Sequence, residues 1–188
     1  MAAELVVIGT SLGGLCALEV LLFGLRPDLP LPLAVVQHRS KESDGTLARH
    51  LSRFCSLPVE EAEDKQPIRP GRVYLAPASY HLLVDGTNFA LDTEAPVCHA
   101  RPSIDVLFES AAISYGERLV GVILTGASRD GAEGSRQLKE RGGVLLVQDP
   151  HTAENGVMPV AALSAARADH VLPLADIAPF LNRCALPR

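Results

Sequence analysis

Uninterrupted apolar runs at residues 5–8, 33–36, 119–124 and 144–147 decide most of what this chain can fold into. They are dense in valine, leucine and isoleucine and lack the apolar–polar alternation of a half-exposed strand. Runs of this kind mark strands buried on both faces, which occur in parallel sheets covered by helices on each side. The intervening segments supply the helical periodicity such a sheet requires. Leu15, Leu18, Leu22 and Leu25 follow the first run at helical spacing, and Leu47, Leu51 and Phe54 mark a second helix, capped by Ser43 or Asp44 and running to about Phe54. Pro102 and Ser103 open a third, with Ile104, Leu107, Phe108, Ala111 and Ala112 on its buried side. Gly142-Gly143 ends the helix after the third apolar run, an alanine-rich helix is expected over residues 160–168, and a last one near residues 177–181.

Shorter features complete the plan. RVYLA at residues 72–76 predicts a short strand, and the acidic run Glu60, Glu61, Glu63 and Asp64 a solvated face or strand edge. Asp85-Gly86 between residues 81–84 and 88–91 predicts an antiparallel hairpin. The expected fold is α/β: a single doubly wound, mostly parallel sheet with helices on both faces and a small antiparallel hairpin, in one domain over residues 1–188.

Composition excludes several functions. With 47% hydrophobic residues over 188 positions the chain can bury a sizeable core. Aromatics at 4% leave no stacking platform for single-stranded nucleic acid, and a net charge of −5 disfavours a polyanionic partner. No apolar run approaches the roughly 18 residues of a membrane span and no leader pattern opens the chain, so a soluble, cytoplasmic protein without membrane insertion is expected. Cys16, Cys55, Cys98 and Cys184 are scattered without a CxxC pair, which indicates neither a zinc site nor a disulfide framework. Cys16 and Cys184 fall on expected apolar helix faces and are assigned to the interior.

In a sheet of this kind ligands bind at the carboxyl ends of the strands. Three loops on that rim carry complementary chemistry: Ser11 in GTSLGG after the first run, His38 at the end of the second, and Asp130 in TGASRDGAEG after the third. A serine hydroxyl is a weak nucleophile, an imidazole can take its proton near neutral pH, and a carboxylate can fix the imidazole's tautomer. Each residue alone has an ordinary explanation as a turn, cap or strand-end residue, and His81, His99 and His151 offer competing bases. Gly9, Ser11 and Gly13 also fit GxSxG, yet the order Ser, His, Asp is not that of an α/β-hydrolase. The turn lacks the glycine spacing of GxGxxG and the lysine of a P-loop.

IGTSLGG, VVQH, PGRVYLAP, RPSIDVLFESAA, GVILTGASRDGAEG and VQDP followed by NGVMP resemble, in order and over nearly the whole chain, the successive blocks of the CheB-type protein-glutamate methylesterases of bacterial chemotaxis. RPSIDVLF and LTGxxxDGA are more specific than the serine loop. The resemblance implies a serine hydrolase that removes γ-methyl esters from glutamates on chemoreceptor cytoplasmic helices, with deamidation of receptor glutamines as a companion activity. It puts Ser11 on the family's nucleophile, His38 on its base and Asp130 on its orienting acid, with no cofactor or metal. The backbone N–H groups of Leu12 and Ala127 become candidates for the oxyanion hole, and Met158 is expected to pack beside the site.

This chain departs from the resemblance at two places. Leu12 stands where enteric-type members have threonine, and Ala127-Ser128 replaces methionine-glycine. Backbone donors survive such changes, while rate and substrate preference are open to them. The matched blocks begin at the first apolar run, which leaves no room within these residues for the phosphoacceptor domain of regulated members; constitutive activity, or control by a separate response-regulator or other signalling chain, is the expectation. Arg39, Arg101 and Arg129 are candidates to meet an acidic receptor helix. The alternatives are a receptor-binding module of the same fold weakened in turnover, and a hydrolase of another small ester.

Overall fold

The computed structural model describes residues 3–39 and 45–184. The chain runs β1 (Leu5–Thr10), α1 (Gly14–Phe23), β2 (Leu33–Gln37), α2 (Thr46–Leu51), β3 (Val59–Glu61), β4 (Val73–Leu75), β5 (His81–Asp85), β6 (Asn88–Asp92), α3 (Ile104–Tyr115), β7 (Leu119–Ile123), α4 (Ala132–Glu140), β8 (Val144–Gln148), α5 (Val157–Ala165), β9 (His170–Leu172) and α6 (Leu174–Cys184). Seven strands pair in the order β3-β4-β2-β1-β7-β8-β9, every pairing parallel. β5 and β6 form the separate antiparallel hairpin.

Alternation along each buried strand divides the core in two. Leu5, Val7, Ala34, Val36, Ile123 and Val147 face α3, α4, α5 and the hairpin, where Phe108, Leu138, Met158 and Phe89 meet them. Val6, Ile8, Leu33, Val35, Val122 and Leu146 face the other layer, formed by Leu18, Leu21 and Leu22 of α1, Leu51 of α2, and Ile177 and Leu181 of α6. The sheet is doubly wound as the apolar runs require. From β1 the chain winds one way through β2 and β4, and from β7 the other way through β8 and β9, so the order reverses beside β1. Reversals of this kind open a crevice at the carboxyl edge.

Several expectations need correction. α1 is apolar nearly all round, so its periodicity does not fix its rotation. It buries Ala17, Leu18, Leu21 and Leu22 and leaves Leu15 exposed. Cys16 shares that outer face and is exposed, and Cys184 is only half-buried near the end of α6. The alanine-rich helix begins at Val157, three residues earlier than expected, because Pro159 sits in its first turn, where no intrahelical N–H is missed. The expected caps Ser43 and Asp44 lie outside the described residues. α2 has Gly45 at its N-cap and ends at Leu51, with single turns carrying the chain through Phe54. The acidic run contributes the edge strand β3, where Glu60 pairs with Arg72 and Glu61 with Arg39.

Candidate active site

Ser11 and His38 follow directly on the paired positions Thr10 and Gln37 of neighbouring parallel strands. Their backbones are tied together: the His38 N–H donates to the Thr10 carbonyl at 3.0 Å, and Gln37 Nε2 donates to the carbonyls of both Ser11 and His38 at 2.9 Å. Ser11 is also fixed from the β7 side, its N–H donating to the Thr125 carbonyl at 3.0 Å. Gly13, with φ of 77°, turns the chain into α1 by a left-handed conformation that a side chain would strain. The Ser11 hydroxyl, half-exposed at the mouth of this turn, hydrogen bonds to no protein group among the described residues.

The β7 loop is laced to the β1 loop. Thr10 Oγ1 donates to the Thr125 carbonyl at 2.8 Å, and Thr125 Oγ1 donates to the Leu12 carbonyl at 2.9 Å while accepting the Asn155 N–H at 2.9 Å. Gln148 Oε1 accepts the Thr125 N–H at 2.9 Å. Gly126 lies where a β-carbon would come within 2.7 Å of Met158 Cε and 3.0 Å of Ser11 Cβ. Met158, 1% exposed, therefore packs on Gly126 beside the serine, and its N–H donates to the Gly126 carbonyl at 2.9 Å. The side chains of Leu12 and Ala127 point outward and are exposed. Among the described residues the N–H groups of Leu12 and Ala127 have no protein acceptor, so both donors remain available to a ligand.

His38 and Asp130 are brought together across the sheet, with Nε2 at 2.7 Å from Asp130 Oδ2. Asp130 is wholly buried and His38 nearly so, their side chains 0% and 15% exposed. The carboxylate is saturated: Oδ1 accepts the Ser103 hydroxyl at 2.8 Å and the Asp105 N–H at 3.0 Å, and Oδ2 also accepts the Ile104 N–H at 2.7 Å. Burial would raise this carboxyl, but the hydrogen bonds from His38, Asp105 and Ile104 outweigh it and hold it below the ordinary carboxylate value. An ionised carboxylate is acceptor-only, so Nε2 is the donor in this contact, and in the neutral ring the lone pair is on Nδ1.

Beside Asp130 sits a residue that sequence periodicity passes over. Asp105 is 7% exposed in the first turn of α3. Its Oδ1 accepts the N–H groups of Gly131 at 2.9 Å and Gly134 at 2.7 Å. Burial, offset in part by the Gly134 N–H and reinforced by the Asp130 charge, pushes its carboxyl up to about 6. Cys98, Asp105 and Asp130 bring ligand atoms within 4.8 Å of one another, but Asp130 already spends both oxygens on protein donors and Asp105 spends Oδ1 on two. The grouping is a pair of carboxyl groups, each held by protein N–H or O–H donors. An acid within an otherwise apolar helix stripe was the available signal for Asp105, and the serine before that helix the signal for Ser103, its N-cap.

The competing histidines have other surroundings. His81, 2% exposed, accepts the Ser103 N–H at Nδ1 and faces the Ala95 carbonyl with Nε2. His151 is exposed in a short 3₁₀ turn. His99 lines a cavity of about 220 Å³ with His38, Arg39 and Arg101. Arg39 is bound to Glu61 and the Ala76 carbonyl, and Arg101 donates to the carbonyls of Thr93 and Glu94; Arg129 is exposed beside Asp130.

Known proteins resemble this chain in sequence and in fold. The model of the CheB methylesterase family matches residues 6–181. A putative protein-glutamate methylesterase/protein-glutamine glutaminase of Leptospira interrogans is 45% identical over 184 residues, 97% of this chain and 95% of that protein. A protein-glutamate methylesterase/protein-glutamine glutaminase of Anaeromyxobacter dehalogenans is 46% identical over 93% of this chain, which spans only 51% of that longer relative. The crystal structure of the Thermotoga maritima CheB methylesterase catalytic domain matches with a TM-score of 0.91 and 34% identity, covering 97% of this chain and 99% of that one. No helix among the described residues is long and apolar enough to cross a membrane. By sequence and by fold alike, the chain belongs to the CheB methylesterase family.

Proposed function

We propose that the chain hydrolyses γ-methyl esters of glutamates on chemoreceptor cytoplasmic helices, with Ser11 as nucleophile, His38 as general base and Asp130 as the acid that orients it. The observation that carries this is the 2.7 Å contact between His38 and the buried, ionised Asp130, and Ser11 and His38 each come one residue after the paired positions Thr10 and Gln37. Ser11 Oγ attacks the ester carbonyl as His38 Nδ1 takes its proton. The tetrahedral oxygen is received by the N–H groups of Leu12 and Ala127, each such donor being worth about 10²- to 10³-fold in rate. His38 gives that proton to the departing methoxide, which leaves as methanol. Water activated by the same nitrogen then releases the carboxylate from the glutamyl-serine ester. Receptor glutamines differ only in losing ammonia, so deamidation uses the same steps.

The test is incubation with a methyl-esterified receptor cytoplasmic fragment, followed by mass spectrometry of the glutamyl and glutaminyl sites. Loss of methyl groups from defined glutamates is expected. Binding of the fragment without loss would identify a docking module, and turnover of nitrophenyl esters alone a hydrolase of small esters; either result overturns the proposal.

A further inference from the structure

Helices α3 and α4 begin side by side and exchange carboxylates. The start of α3 offers the Ile104 and Asp105 N–H groups and the Ser103 hydroxyl, all accepted by Asp130, which stands just before α4. The start of α4 offers the Gly131 and Gly134 N–H groups, both accepted by Asp105 of α3. Free N–H groups and the positive end of the helix dipole both favour an anion there. The helices meet closely enough that a β-carbon on Gly134 would lie 2.6 Å from Phe108 Cβ. Each helix start is therefore fixed by an acid that the other helix positions.

We propose that Asp105 is a positioning residue of the hydrolytic site, acting on His38 through Asp130. Gly131, which Asp105 grips, is the next residue after Asp130, so the grip sets the direction in which the Asp130 carboxylate leaves the backbone. That direction is what keeps Oδ2 on His38 while Oδ1 stays on the Ser103 hydroxyl and the Asp105 N–H. Among the described residues the Asp105 carboxyl hydrogen bonds to neither His38 nor Ser11, and it is assigned no proton transfer. This rests on the roles proposed above for Ser11, His38 and Asp130.

Few groups other than Asp130 bear directly on the Asp105 carboxyl. Asp130 faces it from the β7 loop and Cys98 from the segment before α3, the thiol 3.8 Å from Oδ2. Arg129 acts on Cys98 from the same loop as Asp130. Glu109, one turn on in α3, and Glu133 of α4 are both exposed. An asparagine keeps an oxygen for Gly131 and Gly134 but carries no charge.

Asp105→Ala and Asp105→Asn decide the matter, assayed on the methyl-esterified receptor fragment beside Ser11→Ala and Asp130→Ala. Asp105→Ala should lower kcat about 10- to 10²-fold with KM within about twofold, as expected for a misaligned catalytic group. Asp105→Asn, which keeps an acceptor for Gly131 and Gly134, should restore most of that loss in kcat. Folded Asp105→Ala with wild-type kcat, or folded Asp105→Asn as impaired as Asp105→Ala, would overturn the inference. If Asp105→Ala does not fold, Asp105→Ser is read in its place against the same expectation. Unimpaired turnover by Ser11→Ala and Asp130→Ala would instead overturn the underlying catalytic assignment, which separates the two failures.

Discussion

The loops after β1 and β7 are built from the same parts, a buried strand running through small residues into a helix, yet they treat their functional side chains in opposite ways. After β1, the backbone of Ser11 is held from both flanking strands while its hydroxyl is left free. After β7, the Asp130 side chain is itself held, by His38, Ser103 and the first N–H groups of α3. A group that must form and break a bond gains from an unoccupied side chain on a rigid backbone. A group that only orients another gains from having no freedom at all.

The largest effects should come from erasing either side of that contrast. Ser11→Ala leaves the β1 loop in place and removes only the free hydroxyl; kcat should fall at least ~10⁴-fold with receptor binding retained, measured by turnover and by pull-down. Asp130→Asn keeps shape but reverses a donor–acceptor relation at His38, and a loss of ~10³- to 10⁴-fold is expected in steady-state kinetics. Gly126→Ala attacks the seam between the loops. Its β-carbon would press on Met158 and Ser11, so kcat should fall ~10- to 10²-fold, with a stability loss of about 1–3 kcal/mol in urea unfolding.

The carboxyl pair sharpens the contrast through pH. Asp130 is held below its ordinary value, so its contribution to stability is present above the unfolded carboxyl value and is lost as pH falls through its folded value. Asp105 is pushed up to about 6 and acts with the opposite sign. Its folded form binds the proton more tightly than the unfolded chain, so stability falls as pH rises from the unfolded value, about 4, to about 6. Urea titrations of Asp105→Asn across that window should show a flatter profile, by on the order of 1–3 kcal/mol. The smallest effect should follow Leu12→Thr, since the exposed side chain leaves the backbone donor untouched; a change in kcat within about threefold is expected in the methyl-ester assay.

Much of this was legible in the sequence because the buried strands of a parallel sheet announce themselves as continuous apolar runs. The residues at their carboxyl ends, Ser11, His38 and Asp130, could then be placed on one rim before any contact was known. What pattern could not supply were rotations and partners. The nearly all-apolar α1 did not disclose that Leu15 and Cys16 face outward. Pro159 concealed a helix start because proline is permitted in the first turn but also reads as a break. Asp105, and the bond of the helix-opening Ser103 to Asp130, were hidden because the partners lie more than twenty residues away in sequence, at the start of another helix.

Methanol release from a methyl-esterified receptor fragment, measured side by side for the wild-type chain and Ser11→Ala, tests the central claim most directly. The account predicts release by the wild type until the esterified glutamates are consumed, with none above background from the variant. Equal release by both chains would contradict it.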